Sequence, residues 1–155
     1  MKKAIFGLGC FWGPEEKFSK LNGITNTEVG YCGGNNSKTS YEEVCTGQTN
    51  HAEVVKIEFD EKVISYEEIV NFFFTIHDPT TFNKQGPDVG SQYRSEIFFY
   101  DDEQKKIAEK IKENLNEKLN KKVVTKISKE TNYCKAEEYH QKYLQKKVCN
   151  EFSFY

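Results

Sequence analysis

Residues 3–16 read KAIFGLGCFWGPEE and contain a change from one kind of secondary structure to another. The apolar run at residues 3–9 is short and closed by glycines, which is typical of a buried strand. Pro14 then stands where the first turn of a helix tolerates proline, and the two glutamates after it suit the positive end of the helix dipole. The sequence therefore predicts a β-strand followed at once by a helix, with Cys10 at the junction.

The position of Cys10 indicates a reactive thiol. Unpaired backbone N–H groups and the dipole at the start of a helix favour a thiolate over a thiol. The flanking glycines let the backbone turn sharply and let a substrate approach, while Phe11 and Trp12 could form an apolar wall. The alternative is a buried, inert cysteine, and the local pattern makes the reactive one the better interpretation.

The rest of the chain alternates between strand and helix patterns without a linker or an internal repeat. This alternation predicts an α/β fold (α+β by stricter naming), with helices packed on a mixed sheet in a two-layer sandwich. We expect one catalytic domain over residues 1–155, in which 146–155 form a mobile C-terminal tail. After the first helix, the patterns predict strands over 25–31, 52–60, 95–100 and 123–128. They predict helices over 40–45, 102–120 and 136–147, and a further helix that opens with the capping box of Ser65 and Glu68 and includes Phe73.

Composition excludes several classes of function. The formal net charge of −2 gives no electrostatic footprint for nucleic acid or for an anionic membrane. No segment approaches the eighteen or so apolar residues of a membrane span, and the basic start at Met1 lacks a cleavage site. We therefore expect a cytoplasmic protein.

Five cysteines, at 10, 32, 45, 134 and 149, make an odd set without a C-x-x-C pair. This pattern argues against a secreted disulfide framework and against a structural zinc site. Reduced thiols fit better, and nothing in the sequence implies a metal or an organic cofactor.

A second candidate group lies in residues 47–55, GQTNHAEVV. Glu53 stands where this segment becomes a core strand, so burial would raise its pKa and let it carry a proton at neutral pH. The alternative is a glutamate on the wet face of the strand. His51 is interpreted as a hydrogen-bonded loop residue.

Other polar residues lie in or beside loops, where packing or turn formation is the simpler explanation. They include Tyr31, Tyr41, Tyr93 and Asp88. The last two belong to a long loop over residues 78–93, and loops of that length inside compact domains are often functional. Their importance depends on whether they converge near Cys10, which spacing does not determine.

Five motifs together resemble the peptide methionine sulfoxide reductase family of the A type. In chain order they are GCFWGPEE, GYCGG, YEEVCTGQTNHAEVV, HDPTT and GPDVGSQYRS, and the similarity runs from about residue 4 to residue 145. The resemblance implies a two-layer α/β fold with a ferredoxin-like plait core. It also implies thiol-dependent reduction of methionine S-sulfoxide, free or in proteins.

The resemblance further implies roles for single residues. Cys10 matches the nucleophile, which becomes a sulfenic acid, and Glu53 matches the acid that protonates the sulfoxide oxygen. The phenols that hydrogen-bond this oxygen match Tyr41 and Tyr93. Phe11 and Trp12 match the aromatic residues that receive the methyl group of the substrate. Asp88 matches a supporting acid at the substrate-binding site.

Recycling is where this sequence departs from the resemblance, because many relatives carry their recycling cysteines in a glycine-rich tail. Cys149 is the first candidate for a resolving thiol and Cys134 the second, while Cys45 is expected to pack on the domain. An external thiol could instead reduce Cys10 directly. Thioredoxin or glutaredoxin is the expected reductant, and a monomer is expected.

Two other classes of function remain as alternatives. A non-catalytic module could use the Trp12 pocket to bind methionine-bearing peptides, which requires Cys10 or Glu53 to be inaccessible. A generic thiol–disulfide oxidoreductase is disfavoured because C-x-x-C is missing.

Overall fold

A strand buried on both faces runs through the middle of the main sheet. It is β1 (Lys2–Leu8) of the computed structural model, which describes residues 1–120 and 122–152. Ile5 and Phe6 point to opposite sides of the sheet, and neither is exposed to solvent. A strand covered on both sides must be apolar at successive positions, which explains why this run lacks polar alternation. The predicted buried strand is confirmed.

The main sheet has the strand order β7-β6-β1-β3-β2-β8, and β4 and β5 form a separate small hairpin. Neighbouring strands are antiparallel, except that β6 and β7 are parallel. The bounds are β2 (Ile24–Cys32), β3 (Ala52–Phe59), β4 (Lys84–Gln85), β5 (Asp88–Val89), β6 (Ser95–Phe99), β7 (Lys126–Lys129) and β8 (Cys134–Lys135). The predicted mixed α/β sheet with packed helices is confirmed, whereas the ferredoxin-like plait stays a prediction.

Ser40, Ser65 and Asp101 each cap the helix that follows them, whereas the helix after Phe11 begins without a side-chain cap. Ser65 and Glu68 form a reciprocal capping box, and the Asp101 carboxylate accepts a hydrogen bond from the Gln104 N–H at 2.9 Å. The bounds are α1 (Trp12–Ser19), α2 (Tyr41–Cys45), α3 (Tyr66–Thr75), α4 (Asp102–Lys118) and α5 (Tyr143–Phe152), with 3-10 turns at Ser91–Tyr93 and Glu138–His140.

An aromatic cluster holds the helices on one face of the sheet. The Phe6 ring on β1 lies 5.4 Å from that of Phe18 on α1 and 5.2 Å from that of Phe73 on α3. All three side chains are fully buried. The opposite face carries a smaller cluster of buried residues, namely Ile5, Cys32, Ala52, Val54 and Phe98. The helix α1 that follows Cys10 is thus fixed to the sheet through Phe18.

The C-terminal part differs from the helix predicted over residues 136–147. The chain forms the 3-10 turn, then bends at Lys142, whose φ is +52°, and only then begins α5. A positive φ interrupts a right-handed helix, so the prediction of one continuous helix is wrong. Tyr139, on the 3-10 turn, is 59% exposed.

The predicted tail over 146–155 overlaps α5, which reaches Phe152. Residues 153–155 lie outside the described part of the chain, and the mobility of the tail and the single-domain organisation stay predictions. Along the described stretches, no helix combines the length and the apolar character needed to cross a bilayer.

A matched pair of phenylalanine truncations tests the aromatic cluster. Phe6→Ala should lower the free energy of unfolding by about 3–5 kcal/mol, because it leaves a cavity among rings that cannot close it. Phe82→Ala should change it by less than about 0.5 kcal/mol, because Phe82 is 73% exposed. Urea unfolding followed by circular dichroism measures both, and equal losses would contradict the assigned core.

Candidate active site

Cys10 lies in the bend between β1 and α1, as the sequence predicts. The chain turns at Gly9, where φ is +103°. A Cβ atom on Gly9 would stand 2.9 Å from the Cβ of Gln85 on β4, so both the conformation and the space require glycine. The tight bend leaves the Cys10 side chain partly exposed beside the start of α1.

The Cys10 thiol is protonated in the free protein. Burial raises its pKa to about 11, against the lowering effect of a hydrogen bond from the Trp12 backbone N–H. The negative charges of Glu53 and Asp88 raise it further. The prediction of a resting thiolate is therefore wrong, because desolvation and two nearby carboxylates outweigh the start of the helix.

Glu53 on β3 is a buried carboxyl group with one free oxygen. It is 1% exposed, and its Oε1 accepts a hydrogen bond from the Phe11 backbone N–H at 3.3 Å. Its Oε2 is buried and has no hydrogen-bond partner among the described residues. Burial, assisted by the charge of Asp88, raises the pKa of Glu53 to about 8. The predicted neutral carboxylic acid at pH 7 agrees with this environment.

The phenol groups of Tyr41 and Tyr93 lie close enough to Glu53 for its charge to affect their pKa values. Burial raises the pKa of Tyr93 to about 12, and the charges of Glu53 and Cys10 contribute. Burial also raises the pKa of Tyr41, followed by a side-chain hydrogen bond and a charge effect from Cys45 and by smaller contributions from Glu53 and Tyr93. Both hydroxyls keep their protons at neutral pH and can donate hydrogen bonds.

Asp88 on β5 is partly buried at the edge of this group. Its negative charge raises the pKa values of Cys10, Glu53 and Tyr93. The negative charge of Asp88 thus favours the protonated forms of these three neighbours. The predicted site residues Cys10, Glu53, Tyr41, Tyr93 and Asp88 are brought together by the fold.

Phe11 and Trp12 are held differently. Phe11 is 1% exposed, and its ring packs on those of Tyr31 and His140 at 5.7 and 5.2 Å. Trp12 is partly exposed, and its ring stacks on Tyr143 at 4.0 Å with an angle of 16° between the planes. Trp12 is therefore the aromatic side chain of this pair that a ligand can reach, while Phe11 supports it from within.

The segment before α5 contributes residues that the sequence analysis missed. His140 Nδ1 accepts a hydrogen bond from the Trp12 indole at 3.0 Å. The Glu137 carboxylate accepts from the Tyr31 hydroxyl at 2.8 Å and from the Tyr41 backbone N–H at 2.9 Å. No spacing rule links residues 12 and 140, and the expected continuous helix concealed the buried histidine.

The remaining cysteines occupy different environments. Cys45 is exposed at the end of α2, so the expectation that it packs on the domain is wrong. Cys134 is partly exposed on β8, with its Sγ 3.7 Å from the Thr39 carbonyl oxygen. Cys32 is fully buried. Cys149 belongs to the backbone of α5, but its side chain lies outside the described residues.

A partly exposed cysteine beside a neutral carboxylic acid and two phenols defines the active site of a thiol-dependent oxidoreductase. The family model described as peptide methionine sulfoxide reductase matches residues 2–154. The chain belongs to the peptide methionine sulfoxide reductase family.

Individual relatives cover nearly all of the chain. A peptide methionine sulfoxide reductase MsrA from Pelagibacter ubique is 65% identical over 147 residues, which are 95% of this chain and 100% of that protein. Reduced Mxr1 from Saccharomyces cerevisiae has a TM-score of 0.89 and 45% identity, with 94% of this chain and 84% of that one covered. Mxr1 in complex with Trx2 has a TM-score of 0.65 and 32% identity, with 92% and 84% covered.

Alkylation of Cys10 tests its protonation state. With a pKa of about 11, only about one thiol in ten thousand is ionised at pH 7, so the rate with iodoacetamide should rise steeply up to pH 10. Glu53→Gln removes a negative charge and should move the profile to lower pH, whereas Glu58→Gln on the same strand should not. Mass spectrometry of the Cys10 peptide gives the rate, and a plateau below pH 8 would contradict the assignment.

Proposed function

We propose that this chain reduces methionine S-sulfoxide, free or within polypeptides, to methionine by means of the Cys10 thiol. The observation that carries the proposal is the buried Glu53 carboxyl, which holds a proton at neutral pH and has a free oxygen beside the Cys10 loop. Membership of the peptide methionine sulfoxide reductase family supports it, and the preference for the S epimer follows from the family alone.

Substrate binding would use an apolar surface on one side of the site and a group of hydrogen-bond donors on the other. The sulfoxide methyl group lies against the exposed face of Trp12, where apolar surface is available. The sulfoxide oxygen faces the Glu53 carboxylic acid and the hydroxyls of Tyr41 and Tyr93, which are all donors at neutral pH. This orientation places the sulfur of the substrate toward Cys10.

The chemical step needs a proton on the sulfoxide oxygen, because that oxygen is otherwise a poor leaving group. Glu53 donates this proton, while the two phenols stabilise the charge on the oxygen. The Cys10 sulfur attacks the protonated sulfoxide at its sulfur and forms an S–S bond, while the thiol proton restores the Glu53 acid. The S–O bond then breaks, the released hydroxyl bonds to the Cys10 sulfur, and the S–S bond breaks as methionine departs, which leaves Cys10 as a sulfenic acid. The substrate sulfur gains the two electrons that Cys10 loses.

Recycling requires a second thiol. A sulfenic acid condenses with a thiol to give a disulfide and water. Cys149 is the proposed resolving residue, Cys134 is the second candidate, and direct reduction by an external thiol remains the alternative. Thioredoxin is the proposed reductant, supported by the solved complex of yeast Mxr1 with Trx2, and glutaredoxin is the alternative. A cytoplasmic monomer stays a prediction.

The non-catalytic binding module is the weaker alternative. It requires Cys10 or Glu53 to be inaccessible. Cys10 is partly exposed, and Glu53, although itself 1% exposed, accepts a hydrogen bond from the Phe11 backbone N–H next to Cys10. A pure binding module would also gain nothing from a carboxyl group kept neutral by burial, because an uncharged polar side chain could bind the oxygen at lower cost.

Turnover of methionine sulfoxide with dithiothreitol tests the assigned roles. Cys10→Ser should abolish methionine release, and Glu53→Gln should lower kcat by about 10²–10⁴-fold, the usual contribution of a general acid. Glu58→Gln is the matched control and should keep the wild-type rate. Turnover by Cys10→Ser would overturn the mechanism.

The pH dependence of the same assay tests the protonation state of Glu53. Because the reaction needs the protonated carboxyl, kcat/KM should fall as the pH rises through about 8. A rise of activity across pH 7–9 would show that the ionised carboxyl is the active form and would contradict the proposal.

Thiol counting tests the recycling step. One turnover without a reductant should reduce the titratable thiols from five to three if Cys10 forms a disulfide, and to four if the sulfenic acid persists. Peptide mapping should then link Cys10 to Cys149, and Cys149→Ser should stop thioredoxin-supported turnover. A link from Cys10 to Cys134 would instead assign the second candidate.

A further inference from the structure

A groove of about 340 Å³ lies on the face of the sheet opposite the aromatic cluster and the helices. Its lining includes two side chains of β6, Glu96 and Phe98, and their register partners on β7, Lys126 and Ser128. Side chains two residues apart in a strand point to the same face, and Phe98 belongs to the smaller buried cluster on that face. The groove therefore follows the outermost pair of strands, over about 10 Å for three residues.

One end of the groove reaches the segments that carry the active site. Ser91 and Asn50 line this end, and they precede Tyr93 by two residues and Glu53 by three. Since a chain spans at most about 3.6 Å per residue, their backbones lie within about 7–11 Å of those of Tyr93 and Glu53. A polypeptide that places one side chain beside Cys10 needs only about three residues to enter the groove.

Arg94 fixes that end of the groove, and its charge is balanced there. The guanidinium donates to the Ser91 and Asn50 carbonyl oxygens at 2.9 and 3.0 Å and forms an ion pair with Glu96 at 2.6 Å. Among the described residues that line the groove, Glu96 is the only one with a carboxylate. Because this carboxylate is already paired with Arg94, it does not neutralise the other positive charges in the groove.

The other charged side chains of the groove are two lysines that face solvent. Lys126 and Lys129 are both exposed, and neither forms an ion pair with a carboxylate in the described part of the chain. Phe82, which is 73% exposed, lines the same groove. Two free ammonium groups beside an apolar surface suit a ligand with carboxylates and an apolar side chain. The formal net charge of the whole chain is −2, so this positive surface is a local feature.

We propose that this groove binds an acidic segment of a polypeptide substrate, about three to six residues away from the methionine sulfoxide in the active site. This inference rests on the proposed function and specifies the class of polypeptide that the chain reduces most efficiently. No group of the groove takes part in the redox step. The added contacts are the same in the bound substrate and in the transition state, so they raise kcat/KM through a lower KM. Free methionine sulfoxide lacks such a segment and does not use the groove.

Three short peptides with one central methionine sulfoxide test this preference. The first carries an Asp-Glu pair within the stated distance before the sulfoxide, the second carries the pair after it, and the third has Asn-Gln in both places. One of the two acidic peptides should be reduced with a kcat/KM about three- to tenfold above that of the neutral peptide, as expected for two exposed ion pairs. High salt should remove this gain, because the charges are exposed to solvent.

Charge reversal at two positions assigns the effect to the groove. The double variant Lys126→Glu, Lys129→Glu should lose the gain and reduce the neutral peptide faster than the acidic one. The double variant Lys62→Glu, Lys110→Glu changes the net charge by the same amount at exposed positions outside the groove and should keep the wild-type preference. Each kcat/KM is divided by that for free methionine sulfoxide, so that a general effect on the enzyme cancels, and circular dichroism checks the fold of each variant.

Fluorescence anisotropy of labelled peptides with methionine in place of its sulfoxide measures binding without turnover. Three outcomes would overturn the inference: equal kcat/KM for all three peptides, a preference that survives charge reversal at Lys126 and Lys129, or the same loss in the control variant. If the wild-type protein did not reduce free methionine sulfoxide, the proposed function would fail. The anisotropy would still decide whether the groove binds acidic peptides.

Discussion

The removal of one carboxyl group from water governs the chemistry of this site. Glu53 receives a single backbone hydrogen bond, and burial outweighs it, so that its pKa rises from 4.5 to about 8. A shift of this size corresponds to about 5 kcal/mol between the two protonation states. The packing of the sheet holds the group in place against this penalty. Because the register pairs Phe6 with Val55, Glu53 stands beside the end of β1, where the chain leaves for Cys10.

The same burial explains why the nucleophile rests as a thiol. An apolar environment disfavours every charge, so conditions that keep Glu53 protonated also keep Cys10 protonated. The two groups therefore enter the reaction with one proton each, and the sulfoxide oxygen is the acceptor that allows a proton to move. A resting thiolate would instead have exposed a reactive sulfur to any oxidant.

Features encoded by neighbouring residues could be predicted from the sequence, and features made by distant ones could not. The strand–helix junction at Cys10 follows from glycines, a proline and an apolar run that are adjacent in the chain. The neutral Glu53 was predictable because its own segment is visibly a core strand. The protonation state of Cys10 was not, since it depends first on how deeply the folded chain buries the thiol and then on the charges of Glu53 and Asp88. The contact of Trp12 with His140 spans 128 residues and leaves no local pattern.

The way in which the C-terminal segment is tied to the domain has a consequence for the evolution of the recycling step. The Glu15 carboxylate accepts from the Lys142 backbone N–H at 2.7 Å, and the Gln141 side chain pairs with the backbone of Val29. These anchors lie next to Tyr143, whose ring stacks on Trp12. Farther along α5, Leu144 and Gln145 line a groove together with Trp12, and Lys146 Nζ donates to the Glu138 carbonyl oxygen. A thiol carried by α5 is therefore tethered close to the pocket, so a change in the length of this helix would alter the distance that the thiol must cover while its point of attachment stayed in place.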